Sequence, residues 1–438
     1  MKRVIVTLAV VLGFLVSSTV VFASASPPSP PGQPSTGYGS TQNYICSTLY
    51  NGKAIDYNNA ISFGDELAGT KCWVYIPSKL KNGTTAPVVV YLHGMFMIVP
   101  PIYDGQIAHL VKQGYIVIFP EYNKGWTGLL SDMDQYQMLD RAIAAVDTAL
   151  DLSAVASRAD MGNINLAGHS NGGNLSLCWA SRGGVPVKSI TLQHPCYSME
   201  AIPSVVRSLF MGGTVELDYR NMAAGITCPI TFIGGTADSI ARPNQLSSAY
   251  RACVNAPTKV HYIYSTDSHG DPSLQSDHVA PCQNDGLLPA SILNLLSSMG
   301  ISGFEQDSVD YRIMYAALDA ALDGKTRVPF DRGKWSDGVA VSPVMTAADS
   351  TVTAVTIYQD CGFEGTMAQL PVGSYTLAAL QAFGINNDDL SSIKVPAGRK
   401  AIVYVDDNFK GSSKVYTADQ SCFVADGLND KISSIIVQ

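Results

Sequence analysis

Charged residues are scarce in this chain of 438 residues, since Asp, Glu, Lys and Arg together make up only 15%, against about 25% in an average globular protein. The net charge is −8, from 28 basic and 36 acidic side chains. Nucleic acids and anionic membrane surfaces are bound largely through clusters of basic side chains. Composition therefore excludes both as expected partners.

Long apolar runs are also missing, except at the N-terminus. Residues 4–21 are apolar, follow the basic start Met1-Lys-Arg and precede Ala23-Ser-Ala25, the pattern of a cleaved signal peptide. We therefore predict a signal peptide over 1–25 and a Pro/Ser/Gly-rich linker over 26–44. A retained membrane anchor is the alternative, which the small residues at the cleavage site disfavour. No later stretch is long enough to span a bilayer, so we expect a secreted protein without a transmembrane anchor.

The strongest local motif is Gly168-His-Ser-Asn-Gly172, which lies between an apolar strand and a helix-forming stretch. Such a turn lifts a serine, here Ser170, above the edge of a sheet. A serine attacks a carbonyl only if a base takes its proton and N–H groups stabilise the oxyanion. The N–H of Asn171, at the start of the helix, would meet the second need. The alternative is an ordinary turn serine.

Three more segments supply the remaining groups in a consistent order. An apolar run ends in His93-Gly94, where a loop would provide a second oxyanion N–H from Met95. Asp238 follows a short strand, although capping a helix is its alternative role. His269 follows the next strand, which gives the order Ser, Asp, His. These residues predict a nucleophile, an orienting carboxylate and a base.

Two histidines compete for the role of base. His269 is preferred because such a histidine normally lies on the loop directly after its strand. His278, within Ser276-Asp-His-Val-Ala-Pro281, is the rival. His194 and Tyr197 follow another predicted strand, and we expect them to contact substrate in the cleft.

Residues 45–345 resemble the α/β-hydrolase family through three motifs. Leu92-His-Gly-Met95, the serine turn and Gly235-Thr-Ala-Asp-Ser-Ile-Ala241 are most similar to secreted lipases, cutinases and polyester hydrolases, with dienelactone hydrolases and chlorophyllases nearby. The segment around His278 is similar to that around the catalytic histidine of some cutinases. The resemblance implies an α/β fold with a mostly parallel sheet, and hydrolysis of a carboxylic ester without a cofactor.

Nine cysteines in an exported chain suggest disulfides, although sequence alone does not give the pairing. Cys46 with Cys72 would join the first strands. Cys253 with Cys282 would close the loop that holds both candidate bases. Cys178, on the helix after the serine, is expected to be a buried free thiol.

The C-terminal region, residues 352–438, contains an internal repeat. Tyr358-Gln-Asp-Cys-Gly-Phe-Glu-Gly and Tyr404-Val-Asp-Asp-Asn-Phe-Lys-Gly share Tyr, Phe and Gly, and each is followed by an Asn-Asp-x-x-Ser-Ser-Ile segment, at 387 and 429. This region resembles the βγ-crystallin module, which implies an all-β sandwich of two Greek-key motifs. It also implies a calcium site in each motif.

Calcium prefers six to eight oxygen ligands. The resemblance implies hydroxyl ligands from Ser391 and Ser433 and backbone carbonyls from Asp389 and Lys431. The side-chain oxygens, or the turns that arrange them, would come from Asn387, Asp388, Asn429 and Asp430. The alternative is a crystallin fold whose calcium sites have degenerated.

Two classes of function remain open. The first is a secreted, monomeric serine ester hydrolase acting on a lipid, polyester or small ester, whose calcium module stabilises it or docks it to a surface. An amidase or peptidase would use the same triad. The second is a calcium-binding structural or adhesion protein with an inactive hydrolase domain. The presence of Ser170, Asp238 and His269 together favours the enzyme.

Overall fold

The computed structural model describes most of the chain after the predicted signal peptide. The described residues are 24–33, 60–95, 97–125, 132–198, 215–241, 243–283, 290–298, 303–325, 327–346, 355–370, 373–396 and 399–438. Residues 1–23 and Cys46 lie outside these ranges, so the signal peptide and the Cys46 pairing stay predictions. In the part of the chain described here, every helix is too short or too polar to cross a bilayer.

The first domain, residues 60–346, is built on a nine-stranded sheet in the order β1-β2-β4-β3-β5-β6-β7-β8-β9. Strands β3 to β8 pair in parallel, whereas the pairs β1–β2, β2–β4 and β8–β9 are antiparallel. The strands are β1 Ala60–Phe63, β2 Lys71–Tyr75, β3 Ala86–Leu92, β4 Ile116–Glu121, β5 Ala159–His169, β6 Ser189–Gln193, β7 Ile230–Gly235, β8 Lys259–Tyr264 and β9 Met345–Thr346.

Helices connect and cover these strands. The α-helices of this domain are α1 Asp104–Lys112, α2 Gln135–Asp151, α3 Ser153–Ala156, α4 Asn171–Cys178, α5 Tyr219–Met222, α6 Pro243–Ala252, α7 Ala290–Ser298 and α8 Ala316–Leu322. Short 3₁₀ turns cover Pro100–Tyr103, Ala180–Arg182 and Ala223–Gly225, and a π-helix covers Asp310–Tyr315.

The central strands are buried on both faces because helices pack on both sides of the sheet. Every residue of β3 is buried, as expected for a continuous apolar run in a parallel sheet. Helix α2 shows how a covering helix forms: the Asp134 side chain caps it by accepting from the Tyr136 and Gln137 N–H groups. Its inner face buries Met138, Leu139 and neighbouring small residues. The sheet therefore holds its carboxyl edge rigidly.

The C-terminal module, residues 355–438, contains two sheets in the orders β11-β10-β13 and β12-β16-β14-β15. Its strands are β10 Val355–Asp360, β11 Glu364–Leu370, β12 Gly373–Tyr375, β13 Ser392–Lys394, β14 Ala401–Asp406, β15 Lys410–Tyr416 and β16 Ser434–Val437, with helix α9 at Leu377–Ala382 and a 3₁₀ turn at Phe423–Asp426. Strand β12 pairs with β16 of the second motif. Reciprocally, Gln420 of the second motif pairs with Ile393 of the first. The motifs thus exchange edge segments around one apolar core.

The part of the predicted linker that the structure describes is not detached from the first domain. The Ala25 carbonyl accepts the Asp271 N–H at 2.9 Å, and the Ser26 carbonyl accepts the Ser336 N–H at 3.0 Å. Residues 24–33 therefore lie along this domain without helix or strand. Residues 34–44 are outside the described ranges.

Of the two expected cysteine pairings, one is wrong and the other lies partly outside the described residues. Among the described residues the disulfide found is Cys361–Cys422, in the C-terminal module. Cys253 and Cys282 are buried free thiols, so their predicted pairing is wrong. The Cys253 thiol faces the Ala249 carbonyl on its own helix, whereas the Cys282 thiol lies 3.6 Å from His169 Nδ1. Cys178 is a buried free thiol, as expected.

Candidate functional site

The serine turn forms between β5 and α4 with a strained backbone. Ser170 has φ 53° and ψ −121°, a conformation that non-glycine residues rarely adopt. Two glycines permit it: a Cβ on Gly168 would lie 2.5 Å from the Gly172 carbonyl oxygen, and one on Gly172 would lie 2.0 Å from that of Leu92. Glycine is therefore required at both positions, because neighbouring backbone leaves no room for a side chain. The turn holds the Ser170 hydroxyl above the sheet edge.

His278 links this serine to the carboxylate. Its Nε2 lies 2.7 Å from Ser170 Oγ, and its Nδ1 lies 2.9 Å from Asp238 Oδ2 and 3.1 Å from Oδ1. An Nδ1–H that donates to Asp238 leaves Nε2 free to accept the serine proton. The structure thus brings together Ser170, His278 and Asp238 as a candidate nucleophile, base and orienting carboxylate, all at least nine-tenths buried.

His269 does not join this group, so the preference for it as base is wrong. Its Nε2 lies 2.6 Å from Asp337 Oδ2, and its side chain is 37% exposed. The reason is a local excursion of the chain: Asp267 and Leu274 exchange backbone hydrogen bonds of 3.0 and 2.9 Å, so the segment between them forms a side loop. Only after this loop does the chain return to the sheet edge, where it places His278.

Asp238 is buried and saturated with hydrogen-bond donors. Oδ1 accepts the Ile240 and Ala241 N–H groups at 2.9 and 2.7 Å, so the residue also shapes the turn that follows it. Burial alone would raise the Asp238 pKa, but the charge of His278 and the hydrogen bonds from His194 and His278 outweigh it and hold the pKa well below its usual range. The carboxylate is therefore held ionised beside His278.

The two predicted oxyanion donors belong to segments that adjoin Ser170, since Asn171 follows it and a Cβ on Gly94 would lie 3.3 Å from Ser170 Cβ. As first residue of α4, Asn171 has an N–H without an intrahelical acceptor. The preceding loop is pinned because the Gly172 N–H donates to the His93 carbonyl at 3.0 Å and the Gly94 N–H donates to Tyr103 Oη at 2.8 Å. Met95 follows directly, and no described residue accepts its N–H. Both N–H groups stay candidate donors to a substrate oxygen.

A buried chain of hydrogen bonds through His169 joins this loop to His278, and its partners could not be identified from the sequence. His169 Nδ1 lies 2.8 Å from Tyr103 Oη, and its Nε2 lies 2.8 Å from the His278 carbonyl oxygen. Because that carbonyl can only accept, the His169 proton resides on Nε2 and Tyr103 donates to Nδ1. Burial, then the charge of His278, lowers the His169 pKa well below its ordinary value. The neutral ring therefore supports the backbone of the base.

His194 and Tyr197 do not line a cleft, contrary to expectation. His194 is fully buried, with Nδ1 2.7 Å from Asp238 Oδ2 and Nε2 2.8 Å from Tyr264 Oη. Tyr197 is 1% exposed and packs on Tyr219, with ring centroids 4.8 Å apart. The backbone turns inward after β6, where His194 adopts φ 46°. Their place after a strand indicated the correct sheet edge but not which way the side chains point.

His194, Asp238 and His278 form the one cluster of potential metal ligands found among the described residues. The ligand atoms of His194, Asp238 and His278 all lie within 4.8 Å of one another. The atoms that face each other are already joined by hydrogen bonds. The arrangement is therefore interpreted as a proton-transfer network.

The predicted calcium ligands lie in two matching groups of the C-terminal module. Ser391 Oγ donates to Asp430 Oδ1 at 3.2 Å, whereas Ser433 Oγ donates to the Val405 carbonyl at 2.8 Å and lies 3.4 Å from Asp388 Oδ1. Each hydroxyl therefore meets the carboxylate of the other motif. Both aspartates have a left-handed backbone, with φ 53° and 54°. Converging hydroxyl and carboxylate oxygens are the hard donors that calcium prefers, so these residues fit the ion.

Neighbouring predicted ligands support these carboxylates. Asn387 Nδ2 donates to Asp388 Oδ2 at 2.8 Å, and Asn429 Nδ2 donates to Asp430 Oδ2 at 2.7 Å. Lys431 Nζ donates to the Gly427 carbonyl at 3.0 Å, so its ammonium group is engaged away from the carboxylates. The Asp389 carboxylate accepts from Gln359 and Asn386. Asp389 and Lys431 would therefore contribute through their backbones.

Comparison with known proteins separates the chain into the same two parts. Residues 66–191 match the chlorophyllase family, an α/β-hydrolase-like family. The matched stretch contains Met95, Ser170 and Asn171 and ends before Asp238 and His278. The first domain is thus hydrolase-like in sequence as well as in sheet order.

Particular relatives match another stretch, of 88 residues. Over it the chain is 42% identical to development-specific protein S of Myxococcus xanthus and 38% identical to a protein S homologue of the same organism. The stretch is 19% of this chain and 47% and 46% of those proteins, so the chain spans about half the length of the curated relatives it matches. The chain therefore combines a chlorophyllase-like region with a protein S-like module.

Solved structures give matches of similar extent. A βγ-crystallin domain from Flavobacterium johnsoniae is 45% identical, covering 19% of this chain and 92% of that chain, with a TM-score of 0.19. The N-terminal domain of protein S is 40% identical, covering 20% and 96%, with a TM-score of 0.19.

Proposed function

We propose that the first domain is a serine hydrolase that cleaves carboxylic esters. The single observation that carries this proposal is the linear array of Ser170, His278 and Asp238, joined by contacts of 2.7 and 2.9 Å. The match to the chlorophyllase family supports it. The substrate would be a small molecule, lipid or polyester that presents an ester carbonyl.

In the proposed reaction, Ser170 Oγ attacks the ester carbonyl carbon while its proton moves to His278 Nε2. The N–H groups of Met95 and Asn171 stabilise the oxyanion. When the tetrahedral intermediate collapses, the C–O bond to the alcohol breaks and His278 gives its proton to the leaving oxygen. Water then attacks the acyl-serine, with His278 taking its proton and returning it to Ser170.

A series of p-nitrophenyl esters of increasing acyl length, run beside an insoluble polyester film, tests this proposal. Hydrolysis that requires Ser170 is expected for at least part of the series, and the preferred chain length would define the substrate class. No hydrolysis of any ester by the folded protein would refute it. A p-nitroanilide of the preferred acyl group, tested in parallel, would show whether amides are also cleaved.

We further propose that the C-terminal module binds up to two calcium ions and stabilises or docks the enzyme. The cross-motif pairs Ser391–Asp430 and Ser433–Asp388 support this role. Calcium would be held by hydroxyl, carboxylate and backbone carbonyl oxygens and would supply no step of ester hydrolysis. Calorimetric titration of the calcium-free protein is the test, and absence of binding heat together with an unchanged melting temperature would refute the proposal.

We propose that the protein is secreted after removal of residues 1–25. The basic, apolar and small-residue segments at the N-terminus support this. N-terminal sequencing of protein recovered from culture medium should begin near Ser26. A mature protein that retains Met1 would contradict cleavage.

A further inference from the structure

We propose that His194 is a positioning residue that holds Asp238 for the base, a role that rests on the proposed ester hydrolase. Two imidazoles share the Asp238 carboxylate: Oδ2 lies 2.9 Å from His278 Nδ1 and 2.7 Å from His194 Nδ1. With the two backbone N–H groups on Oδ1, these contacts fix the carboxylate in one orientation. His194 itself touches neither Ser170 nor any position that a substrate could reach, because it is fully buried.

Asp238 sets the tautomer of His194, and Tyr264 satisfies the other ring nitrogen. A carboxylate can only accept, so His194 must carry a proton on Nδ1 to bond Asp238. Its Nε2 lies 2.8 Å from Tyr264 Oη, and the tyrosine hydroxyl can donate to an unprotonated Nε2. The tyrosine hydroxyl therefore completes the tautomer that the carboxylate selects.

This arrangement predicts a specific effect on the base. Two imidazole N–H groups divide the hydrogen-bonding capacity of Oδ2, so loss of one strengthens the other and favours protonated His278. The base must be neutral to accept the serine proton. Removing the His194 donor should therefore shift the acid limb of the pH profile of kcat/KM to higher pH. The other titratable or charged groups around Asp238 and its two histidines include Tyr264, the neutral His169 ring, Cys196, Asp277, Asp307 and Arg332, which faces the Tyr264 ring at 5.7 Å.

A matched pair of amide variants tests the role. In His194→Asn the amide nitrogen takes the place of Nδ1, and Asn tolerates the left-handed backbone at this position. In His194→Gln the amide reaches the place of Nε2 and the donor to Asp238 is lost. We expect Asn to keep kcat within a few-fold, and Gln to lower kcat roughly 10- to 100-fold at little changed KM, with the acid limb shifted to higher pH.

Tyr264→Phe is the second variant, because it removes only the hydroxyl and leaves His194 in place. It should lower kcat several-fold with the same direction of pH shift. Equal activity of the Asn and Gln variants at equal melting temperature, or an acid limb unchanged in both Gln and Phe variants, would overturn the proposal.

A readout independent of hydrolysis separates this inference from the enzyme itself. With ¹⁵N-labelled histidine, the seven imidazoles of the chain can be assigned by substitution. The inference predicts that His194 carries a proton on Nδ1, and a ring protonated on Nε2 alone would overturn it. An inactive parent protein with the expected tautomer would refute the hydrolase proposal and support the hydrogen-bond assignment.

A second inference concerns the calcium module, and it rests on the proposed calcium sites. The disulfide Cys361–Cys422 links the first hairpin of one motif to the segment before the 3₁₀ turn of the other. Cys361 Sγ lies 3.9 Å from the Ser391 carbonyl oxygen and 3.7 Å from Asn429 Oδ1. The disulfide therefore borders the Ser391–Asp430 group.

The second motif has no cysteine at the position that matches Cys361, so it can be compared with the disulfide-linked motif. Cys361 of the first motif corresponds to Asp407 of the second, because each lies three residues after the shared tyrosine. Asp407 Oδ1 accepts the N–H of Leu377, the first residue of α9, at 2.7 Å. The two motifs are thus joined by a hydrogen bond at Asp407 and by the disulfide at the corresponding residue, Cys361.

We infer that reduction of Cys361–Cys422 weakens the Ser391–Asp430 calcium site and leaves the Ser433–Asp388 site unchanged. Reduction adds two electrons and two protons, supplied by a dithiol or phosphine reductant, breaks the S–S bond and yields two thiols. The released loops lose part of the pre-organisation that favours binding. The hydrogen bond of Asp407 has no redox chemistry, so the second site should not respond.

Calcium titration calorimetry of the full-length protein tests this inference in two single-site backgrounds. With Ser433→Ala, which retains the site beside the disulfide, a reductant should weaken calcium binding about tenfold or more. With Ser391→Ala the reductant should have no effect. Cys361→Ser/Cys422→Ser added to the Ser433→Ala protein should match the reduced form and no longer respond to reductant.

Equal responses in the two backgrounds, or no response in either, would overturn the inference. No calcium heat in the oxidised parent protein would refute the calcium proposal itself, and this inference with it. Thiol counting monitors the reduction, so that an unreduced disulfide is not mistaken for a calcium site that does not respond.

Discussion

The first domain and the C-terminal module build their candidate sites in different ways. The proposed catalytic group joins single residues from three separate loops at one sheet edge, Ser170 after β5, Asp238 after β7 and His278 after β8. The module builds two groups from two copies of one segment, each completed by the other copy. A single change should therefore abolish the first site, whereas the second should lose function in steps.

The two candidate sites also differ in how deeply their residues are buried. Ser170, Asp238 and His278 are 8%, 3% and 6% exposed, which keeps water from competing for their hydrogen bonds. In the module, the two serines are buried, but Asp388 and Asp430 are exposed and can exchange a hydrogen bond for an ion. The first site is pre-formed for chemistry, and the second is open to a ligand from solution.

The largest expected effect is that of Ser170→Ala. Loss of the nucleophile should lower kcat by about 10³- to 10⁶-fold, because the triad acts as a unit. Turnover of a p-nitrophenyl ester and the melting temperature should be measured together. Undiminished hydrolysis in this variant would break the assignment. Chelation of calcium with EGTA at moderate temperature is the matched control, and it should leave turnover of the same soluble ester nearly unchanged.

The next effect separates the two histidines of one loop. His278→Ala should approach the activity of Ser170→Ala, because loss of either residue disables the same proton transfer. His269→Ala should stay within a few-fold of the parent protein, since His269 contacts Asp337 at the surface. The reverse ranking, with both variants folded, would move the base to His269.

A third prediction concerns pH and the stability of the first domain. Burial raises the pKa of Glu121 to about 8, although the Trp73 indole N–H opposes this by donating to it. The folded state thus holds a proton that the unfolded state loses near pH 4.5. Stability from this group is full below pH 4.5 and falls as the pH rises towards 8. The loss has an upper bound of about 4–5 kcal/mol.

Glu121→Gln should remove that decline while still accepting from Trp73. Urea unfolding followed by tryptophan fluorescence can measure it selectively, because all four tryptophans precede residue 336. A parent protein whose unfolding free energy in this assay is constant from pH 5 to 8, or a Gln variant with the parent slope, would contradict the prediction.

The smallest predicted effect is stabilisation of the module by calcium. An ion that binds only the folded state at 100 times its dissociation constant stabilises it by about 2.7 kcal/mol. Calorimetric melting should show this gain in the parent and lose it in Ser391→Ala/Ser433→Ala. Tryptophan fluorescence should not report the gain, because the module contains no tryptophan. A calcium shift retained in the double variant would place the ions elsewhere.

Sequence predicted much of the sheet domain because its strands are buried on both faces and read as apolar runs. The serine turn was recognisable because its glycines are required by backbone contact. The base was mispredicted for a physical reason: a hairpin-like excursion makes the histidine nearer in sequence, His269, the more distant in space. The inward turn of His194 and the chain of hydrogen bonds through His169 were equally hidden, since each depends on contacts between segments far apart in the chain.

In the C-terminal module, the motifs were easier to predict from the sequence than the contacts between them. Its repeat made both motifs visible in the sequence. The cross-pairing of Ser391 with Asp430 was not predictable from one motif alone, because it arises from the exchange of edge segments. The disulfide Cys361–Cys422 was likewise missed, since its cysteines lie in different motifs.

The most direct test of the central claim is covalent labelling of the serine by a fluorophosphonate, followed by peptide mass mapping of three proteins. The parent and His269→Ala should be labelled at Ser170 at similar rates. His278→Ala, which lacks the base 2.7 Å from that hydroxyl, should be labelled far more slowly. A label on another residue, or equal labelling of Ser170 in all three proteins, would contradict the account.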